Sequence, residues 1–370
     1  FYTPREIVNY MVDESIISYL GDSNEIREML SPDYQYEPAK CALYKDITEK
    51  LKSIKILDPA CGSGAFPMGL LNRIVDLIIK LNPKTDVYRL KLQIIENCIY
   101  GVDIQSIAVQ ISKLRFFISL ICDCEKDENK PNFGIPTLPN LETKFVCANS
   151  LIDKKSEEAQ GNLFEDPRIQ ETKDALIRLR EDHFMAKSAS QKRRLREKDD
   201  ELRSTLATLL ADNDLASRED AEQMAKWNPY DQNASSPFFS AEWMFNVKDG
   251  FDIIIGNPPY IQLQNNGGEL NKLYAPCGFQ SFASTGDIYC LFYERGWQLL
   301  KENGHLCFIT SNKWMRAGYG EKLRTFFANN TDPKLMIDFG GVKIFESATV
   351  DTNILLYEKS KNTHHTRCAV

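Results

Sequence analysis

The sequence has no run of ~18 uninterrupted apolar residues, the length a membrane-spanning helix needs. Its most apolar stretch, Leu70 to Leu81, is broken by Asn72, Arg73, Asp76 and Lys80. An apolar signal segment is missing too, since the chain opens FYTPREIVNY. Histidine is scarce, four in 370 residues, and the ten cysteines never form a C-x-x-C pair. Cys122 and Cys124 are one residue apart with no histidine beside them, so neither a zinc site nor a disulfide framework is expected. Reduced thiols in a soluble, cytoplasmic protein are expected instead. Also absent is the P-loop pattern G-x-x-x-x-G-K-[ST]. Basic charge is not in excess: 45 Lys+Arg stand against 52 Asp+Glu, a net charge of −7. That balance offers no general basic face for nucleic acid, although Lys192 to Lys198 (KRRLREK) is locally basic. At 43% apolar and 26% charged residues, the chain has a globular composition and length enough for one large or two ordinary domains.

What is present alternates. Thr3-Pro4-Arg5-Glu6 reads as a capping box with proline at the first helical position, ahead of Ile7, Val8, Met11 and Val12. KILDPACGSGAF gives an apolar strand (Ile54 to Leu57), an acid and a glycine-rich turn, and a helix follows from Met68 to Leu81. A strand over Ile99 to Ile104, a helix near Ala108 to Ile121 and a strand over Lys144 to Leu151 continue the pattern. From about Ser156 to Asn246 it breaks into polar, helical sequence. There Leu195, Leu202, Leu206 and Leu209, spaced 7, 4 and 3, suit a helical hairpin or short coiled coil. Strands resume at Phe251 to Tyr260, His305 to Thr310, Lys334 to Phe339 and Thr352 to Lys359, with helices at Tyr289 to Leu300 and Tyr319 to Ala328. We therefore expect an α/β fold: a mostly parallel sheet with helices on both faces. The expected divisions are residues 1–155, a mostly helical insertion over 156–246, and 247–360. In such sheets ligands bind beyond the carboxyl ends of the strands. Asp58 to Gly64, Asp103, Asn149 and Asn257 to Tyr260 fall there.

Asp58-Pro59-Ala60-Cys61-Gly62-Ser63-Gly64 follows a strand and opens a helix, a place where glycine lets the backbone approach a ligand. The spacing G-x-G-x-x-P (Gly62, Gly64, Pro67) lacks the third glycine of a dinucleotide fingerprint. A carboxylate before the glycines repels a pyrophosphate and suits a cationic ammonium or sulfonium ligand. Asp103 ends the second strand, where a carboxylate accepts from ribose hydroxyls. Farther on, Asn257-Pro258-Pro259-Tyr260 ends another strand. Two prolines remove two N–H donors and fix the Pro258 carbonyl as an acceptor. Asn257 adds a second acceptor and Tyr260 a ring for stacking. That set suits a flat base bearing an NH₂ group, such as adenine, whose N6 lone pair is delocalised into the ring. Two acceptors on the amino hydrogens favour the pyramidal, nucleophilic form.

FYTP, LDPACGSGAF, YGVDI, CANSL, FDIIIGNPPY and KIFESATVDTNILLYEK, in this order, resemble the motifs of gamma-class, amino-directed adenine DNA methyltransferases. The match is closest to the methyltransferase part of fused Type IIG restriction–modification enzymes, and it covers nearly the whole chain apart from the helical insertion. The resemblance implies an S-adenosylmethionine-dependent enzyme with a Rossmann-like, seven-stranded sheet. It implies S-adenosylmethionine contacts from Tyr2, Thr3, Pro4, Asp58, Ala60, Gly62, Gly64, Asp103, Ile104 and Asn149, with Thr3, Pro4 and Asp58 at the methionine end. Asp103 would hold the ribose and Ile104 pack on the cofactor's adenine. Asn149 stands where relatives often have Asp. Asn257, Pro258, Pro259 and Tyr260 would form the catalytic set, with Tyr260 and Phe345 stacking on an adenine flipped out of double-stranded DNA. The partners implied are DNA, a linked or separate target-recognition domain, and an upstream nuclease domain; no metal and no membrane enter. Because the chain opens at Phe1 inside a motif and Ser360 to Val370 is short, we expect a piece of a longer protein without its recognition domain.

Other patterns resist a role. Pro276-Cys277 looks like a cytosine-C5 methyltransferase nucleophile, yet those enzymes carry it at the strand end that NPPY occupies here. Cys61 needs no chemistry, since methyl transfer to an amine forms no covalent intermediate. Glu142-Thr143-Lys144 and Glu171-Thr172-Lys173 carry the common E-x-K fragment of nucleases and predict nothing alone. KRRLREK reads as a solvated helix face more readily than as a DNA contact. Asp287-Ile288-Tyr289 suits either a pocket wall or core packing. Two other functions fit NPPY or the fold: methylation of another planar NH₂ (RNA guanine or protein glutamine), and a DNA-binding module without catalysis. FYTP and the long insertion argue against the first; intact Asp58, Asp103 and NPPY argue against the second.

Overall fold

The computed structural model describes residues 2–124, 126–154, 166–231, 233–345 and 350–370. The expected division between residues 155 and 156 and the part of the KIFESATVDTNILLYEK motif at 346–349 lie outside them. Among the described residues, eight strands form one sheet: β1 (Ile56–Asp58), β2 (Ile99–Asp103), β3 (Phe145–Cys147), β4 (Phe251–Gly256), β5 (Leu300–Ser311), β6 (Asp332–Asp338), β7 (Thr352–Glu358) and β8 (Arg367–Ala369). Their order is β3-β2-β1-β4-β5-β7-β6-β8. Only β7 runs antiparallel, to β5 and to β6. The mostly parallel α/β architecture is as expected, with one correction. Seven strands were expected, and the eighth is β8, whose Arg367, Cys368 and Ala369 pair with Leu335, Met336 and Ile337. Three residues at an exposed edge carry no alternating apolar signature, so the sequence pattern does not reveal them.

The sheet is buried on both sides, and alternation along the strands sorts residues to each. Leu57, Tyr100, Val102, Val146, Ile254, Phe308 and Leu355 enter one core cluster. Ile56, Ile99, Ile253, Ile255, Cys307, Ile309, Ile354 and Leu356 enter the other. On the latter side pack α1 (Arg5–Leu20), α2 (Asn24–Leu30), α3 (Cys41–Ser53), α4 (Ala65–Leu81), α5 (Val87–Asn97) and α6 (Ser106–Cys122). The opposite side takes α7 (Pro167–Phe184), α8 (Ala189–Asp212), α9 (Arg218–Lys226), α10 (Ala241–Phe245), α11 (Asn265–Tyr274), α12 (Tyr289–Leu299) and α13 (Glu321–Asn330). No described helix is long and apolar enough to cross a membrane.

Two helices in the polar stretch before β1, α2 and α3, were not anticipated, and neither was α5. Each is short with a single apolar stripe, such as Tyr44, Ile47 and Leu51 on α3. α7 and α8 form a hairpin closed by residues 185–188. Leu206 and Leu209 are buried there, and Leu202 is partly buried against the same core. Asp199 is fully buried and accepts from Arg180 Nε at 3.0 Å and Arg203 Nε at 2.6 Å. The basic run lies mostly on an exposed helix face, with Arg193, Arg194 and Lys198 exposed, and Arg196 turns inward. Arg196 donates to His183 and Glu142 and lies over Tyr230, while Arg193 pairs with Glu197.

The strand order reverses between β1 and β4: β2 and β3 continue outward from β1, and β5 continues outward from β4. A crevice beyond the carboxyl ends of two parallel strands opens at such a reversal. Asp58 ends β1, and Asn257 follows β4.

Candidate active site

The glycine turn is shaped by its neighbours. Gly62 (φ +51°) and Gly64 (φ +79°) both occupy left-handed backbone, which L side chains adopt at a cost. At Gly64 a Cβ would also lie 2.9 Å from Ser112 Oγ. Gly62 N donates to Asp103 Oδ2 at 2.9 Å, and Gln105 N donates to Oδ1 at 2.9 Å, so backbone holds both carboxylate oxygens at the end of β2. Each oxygen keeps further lone-pair capacity for a hydroxyl donor. α6 grips the turn from the other side. Ser112 Oγ donates to Gly62 O at 2.9 Å, and Arg115 Nη1 donates to Ser63 O at 3.0 Å. Sequence reasoning missed these two; their only signal is a polar pair three apart on an apolar helix.

Asp58 is buried, accepts from Ala60 N at 3.1 Å, and passes beside Gly256 at the end of β4. Burial pushes its carboxyl well above the usual carboxylate range; the Ala60 N–H partly opposes this, and the Asp103 charge adds to it. Burial likewise raises the Cys61 thiol well above its ordinary value, with Asp58 and Asp103 reinforcing, so this sulfur stays protonated and unreactive. Ile104, 58% exposed, offers an apolar face just after Asp103. Pro59 O accepts from Ser150 Oγ at 2.5 Å, and Ser150 O accepts in turn from the buried Arg295 at 2.9 Å.

Around Asn257 the elements of the chain's two ends meet. β4 stops where Pro258 and Pro259 remove N–H donors. Asn257 Nδ2 donates to Thr3 Oγ1 at 3.1 Å, whereas Asn257 Oδ1 is buried with no hydrogen-bond partner among the described residues. Thr3 is itself 3% exposed. The capping box expected at Thr3 does not form: Pro4 is the cap residue of α1, with no side-chain cap bond, and the threonine hydroxyl meets Asn257 instead. Tyr2 is exposed and lines, with Thr3, Ala65 and Arg115, a cleft of about 610 Å³ between α1 and α4.

Tyr260 is braced. Its hydroxyl donates to Ile309 O at 3.2 Å, and burial raises its pKa well above the ordinary value, with Tyr293 adding to it. Tyr289 stands edge-on at 5.8 Å and Phe345 tilted at 6.3 Å. Tyr289 OH bonds Tyr319 OH at 2.8 Å, and Tyr319 OH also reaches Asp287 Oδ2 at 3.0 Å. Asp287 and Tyr289 therefore form the wall behind Tyr260. Phe345 departs from expectation. It is 1% exposed, so in this conformation it backs Tyr260 and presents no free face. Asn149 also has its carboxamide engaged: it meets Tyr274 OH at 3.1 Å, and its Oδ1 accepts from Leu151 N at 3.1 Å. Cys277 lies exposed in the turn after α11 and bonds only locally, to Leu273 O.

Pairwise contacts thus gather Asp58, Gly62, Asp103, Thr3 and Asn257 at the crevice of the strand reversal, with acidic groups and open backbone at β1 and β2 and an amide and a braced aromatic ring after β4. Such a crevice can hold a cation with a ribose near Asp58 and Asp103, and a planar NH₂-bearing group near Asn257.

Residues 97–345 match the family model described as Eco57I restriction-modification methylase. RM.MjaORFECS2P of Methanocaldococcus jannaschii is 26% identical over 97% of this chain and 35% of its own length. The type II restriction enzyme and methyltransferase RM.Eco57I of Escherichia coli is 23% identical over 97% of this chain and 28% of its own. The chain thus spans about a third of the length of these curated relatives. A solved structure of the Type IIL restriction-modification enzyme MmeI in complex with DNA has a similar fold. It matches 98% of this chain and 37% of that one, with a TM-score of 0.50 at 13% identity.

Proposed function

Since the chain belongs to the Eco57I restriction-modification methylase family, we propose that it transfers a methyl group from S-adenosylmethionine to the N6 amine of adenine in DNA. The observation that carries this reading is Asn257 Oδ1. It is a buried acceptor with no donor among the described residues, at a strand end beside the glycine turn. Burying an unpaired polar atom is unfavourable unless a ligand supplies the missing bond, and an exocyclic NH₂ supplies a donor. RM.Eco57I and the adenine-specific methyltransferase BrxX of Escherichia coli, 25% identical over 89% of this chain, carry names that agree.

The donor set fits the cofactor. Asp58 would hold the ammonium group, Asp103 the ribose hydroxyls and Ile104 the adenine, while the open backbone at Gly62 and Gly64 admits close approach. Tyr2, Thr3, Pro4 and Ala60 would wall the methionine end. S-adenosylmethionine, when bound, supplies an electrophilic methyl group on a sulfonium.

The chain's own residues prepare the acceptor. Tyr260 stacks on the extruded base, which offsets part of a flipping cost of a few kcal/mol. Asn257 Oδ1 and Pro258 O accept from the two amino hydrogens, drawing the N6 lone pair out of the ring and toward the methyl group. These bonds strengthen as positive charge develops on nitrogen, the condition for lowering a barrier. After transfer the surplus N6 proton leaves to solvent. Pro259 keeps the turn rigid. The remaining partners, a target-recognition domain and an upstream nuclease domain, are part of this proposal, as are cytoplasmic location and the functional division into residues 1–155, 156–246 and 247–360.

Labelled methyl transfer tests the reading. Incubated with labelled cofactor and double-stranded DNA, the full polypeptide should yield N6-methyladenine on mass spectrometry of the hydrolysed DNA. Asn257→Ala should lower kcat by about 10²–10³ with cofactor binding retained. Label appearing only in RNA guanine or protein glutamine moves the acceptor to those classes. Cofactor binding without transfer to any of them leaves the non-catalytic module.

A further inference from the structure

We infer that Thr3 is a positioning residue that anchors the Asn257 carboxamide in the orientation that leaves its oxygen to the target amine. The inference rests on the methyltransferase reading and adds to Thr3 a task beyond cofactor contact. An asparagine amide is nearly symmetrical in shape and opposite in hydrogen-bonding sense: one end accepts and the other donates. Rotated by half a turn, Asn257 would point its own NH₂ at the NH₂ of the base. Two donors would then face each other and the acceptor would be lost.

Three observations make Thr3 the anchor of the orientation observed, in which Nδ2 meets the hydroxyl and Oδ1 is left for the base. The two residues lie 254 positions apart and meet directly, Nδ2 to Oγ1 at 3.1 Å, in a part-buried setting. The other end, Oδ1, has no partner among the described residues, so the amide is held from its nitrogen side alone in this part of the structure. Finally, the threonine hydroxyl has left the role its sequence position suggests: α1 begins without a side-chain cap. A cap bond is worth about as much as an ordinary hydrogen bond, so a hydroxyl that abandons one is serving another partner.

The support beneath Thr3 is rigid. α1 buries Val8, Met11, Val12 and Ile16 in the core. α1 and α4 approach closely at Gly69, where a Cβ would lie 2.8 Å from Val8 Cγ1. The docking of the first helix is thereby coupled to the orientation of an amide that follows the fourth strand, and Asn257 is preorganised before any base arrives.

Thr3→Val and Thr3→Ser in the full polypeptide test this against cofactor contact and against packing. Valine keeps the shape and removes the oxygen; serine keeps the oxygen. Three readouts are taken: kcat on double-stranded DNA at saturating cofactor, cofactor dissociation constant by calorimetry, and melting temperature. Expected for Thr3→Val is a fall in kcat of about tenfold, the loss of one neutral hydrogen bond. The fall in kcat should persist at saturating cofactor whatever the change in cofactor dissociation constant, and Thr3→Ser should restore turnover. Unchanged kcat in Thr3→Val overturns the positioning role. A weakened cofactor affinity with unchanged saturated kcat overturns it as well, leaving Thr3 a cofactor contact. Equal impairment of Val and Ser assigns the effect to packing and overturns it too. A wild-type polypeptide that methylates nothing overturns the methyltransferase reading and this inference with it, an outcome distinct from the other three.

Discussion

Gly256 makes room for Asp58: a methyl group on Gly256 would lie 2.7 Å from Asp58 Oδ1, closer than real Cβ atoms come. The glycine ending β4 and the acid ending β1 are therefore packed face to face. Neighbouring strands thus bring the Asp58 carboxylate against the last residue of β4, beside Asn257. Gly256→Ala should displace the Asp58 carboxylate and cost ~1–3 kcal/mol, a typical overpacking penalty. Cofactor affinity by calorimetry should fall by at least about tenfold, whereas Gly341→Ala, in open space, should bind as wild type. Equal affinities for the two variants would refute the packing argument.

The raised Asp58 pKa has a signed consequence. Its folded value lies well above 3.8, so the folded chain holds this proton more tightly than the unfolded chain does. This group's contribution to the stability of the ligand-free fold is complete at low pH, and it is lost as pH rises through the folded value. A cationic ligand reverses that preference. Binding of S-adenosylmethionine should release a proton and tighten as pH rises above the ordinary carboxylate range. Calorimetry in buffers of different ionisation enthalpy measures the release. Asp58→Asn should bind more weakly and lose most of the pH dependence; a wild-type affinity flat with pH would contradict the assignment.

Tyr260 separates ring from hydroxyl. Tyr260→Phe removes the hydroxyl that donates to Ile309 O. It should cost about 1 kcal/mol of stability and change methylation by a few-fold. Tyr260→Ala removes the stacking plate and should weaken DNA binding by ~1–3 kcal/mol. Fluorescence of 2-aminopurine at the target position reads the flipped base directly. If the two variants lose equally, the hydroxyl and not the ring carries the effect.

In the α7–α8 hairpin, Asp199 neutralises two buried arginines. Burial alone would raise its pKa; Arg180 and Arg203 hold it below the ordinary value. Asp199→Ala leaves two guanidinium groups facing each other and should destabilise the fold by about 3–5 kcal/mol in urea unfolding. The carboxylate's contribution is present above its unfolded pKa and is lost as pH falls through the folded value. The wild type should therefore unfold more readily in acid, and the gap to Asp199→Asn should narrow there.

Much of the site was legible because its signals are local. An acid before a glycine turn, an acid ending the next strand and a tetrapeptide with two prolines each announce a strand end. Parallel sheets bring strand ends to one crevice, so Asp58, Gly62, Asp103 and Asn257 converge in the structure as the alternation implies. Boundaries shifted by a few residues, as at β3, which keeps only Phe145–Cys147 of an expected eight-residue strand.

The misses share a cause: partners distant in sequence. Thr3 reads as a helix cap because Glu6 is three residues away, and only the docking of α1 brings Asn257 to its hydroxyl. Phe345, between β6 and β7, is aromatic, and packing against Tyr260 buries it. Ser112 and Arg115 gain meaning only once α6 lies against the glycine turn. Sequence by itself determined the alternation of strands and helices, the acids and glycines at the strand ends, and the chemical character of the crevice, since each follows from backbone preference and side-chain type within a few residues. The tertiary structure alone decided which hydrogen bond each polar group makes. Those groups choose among partners brought near by the packing of whole helices on the sheet, and that choice is written in no local stretch.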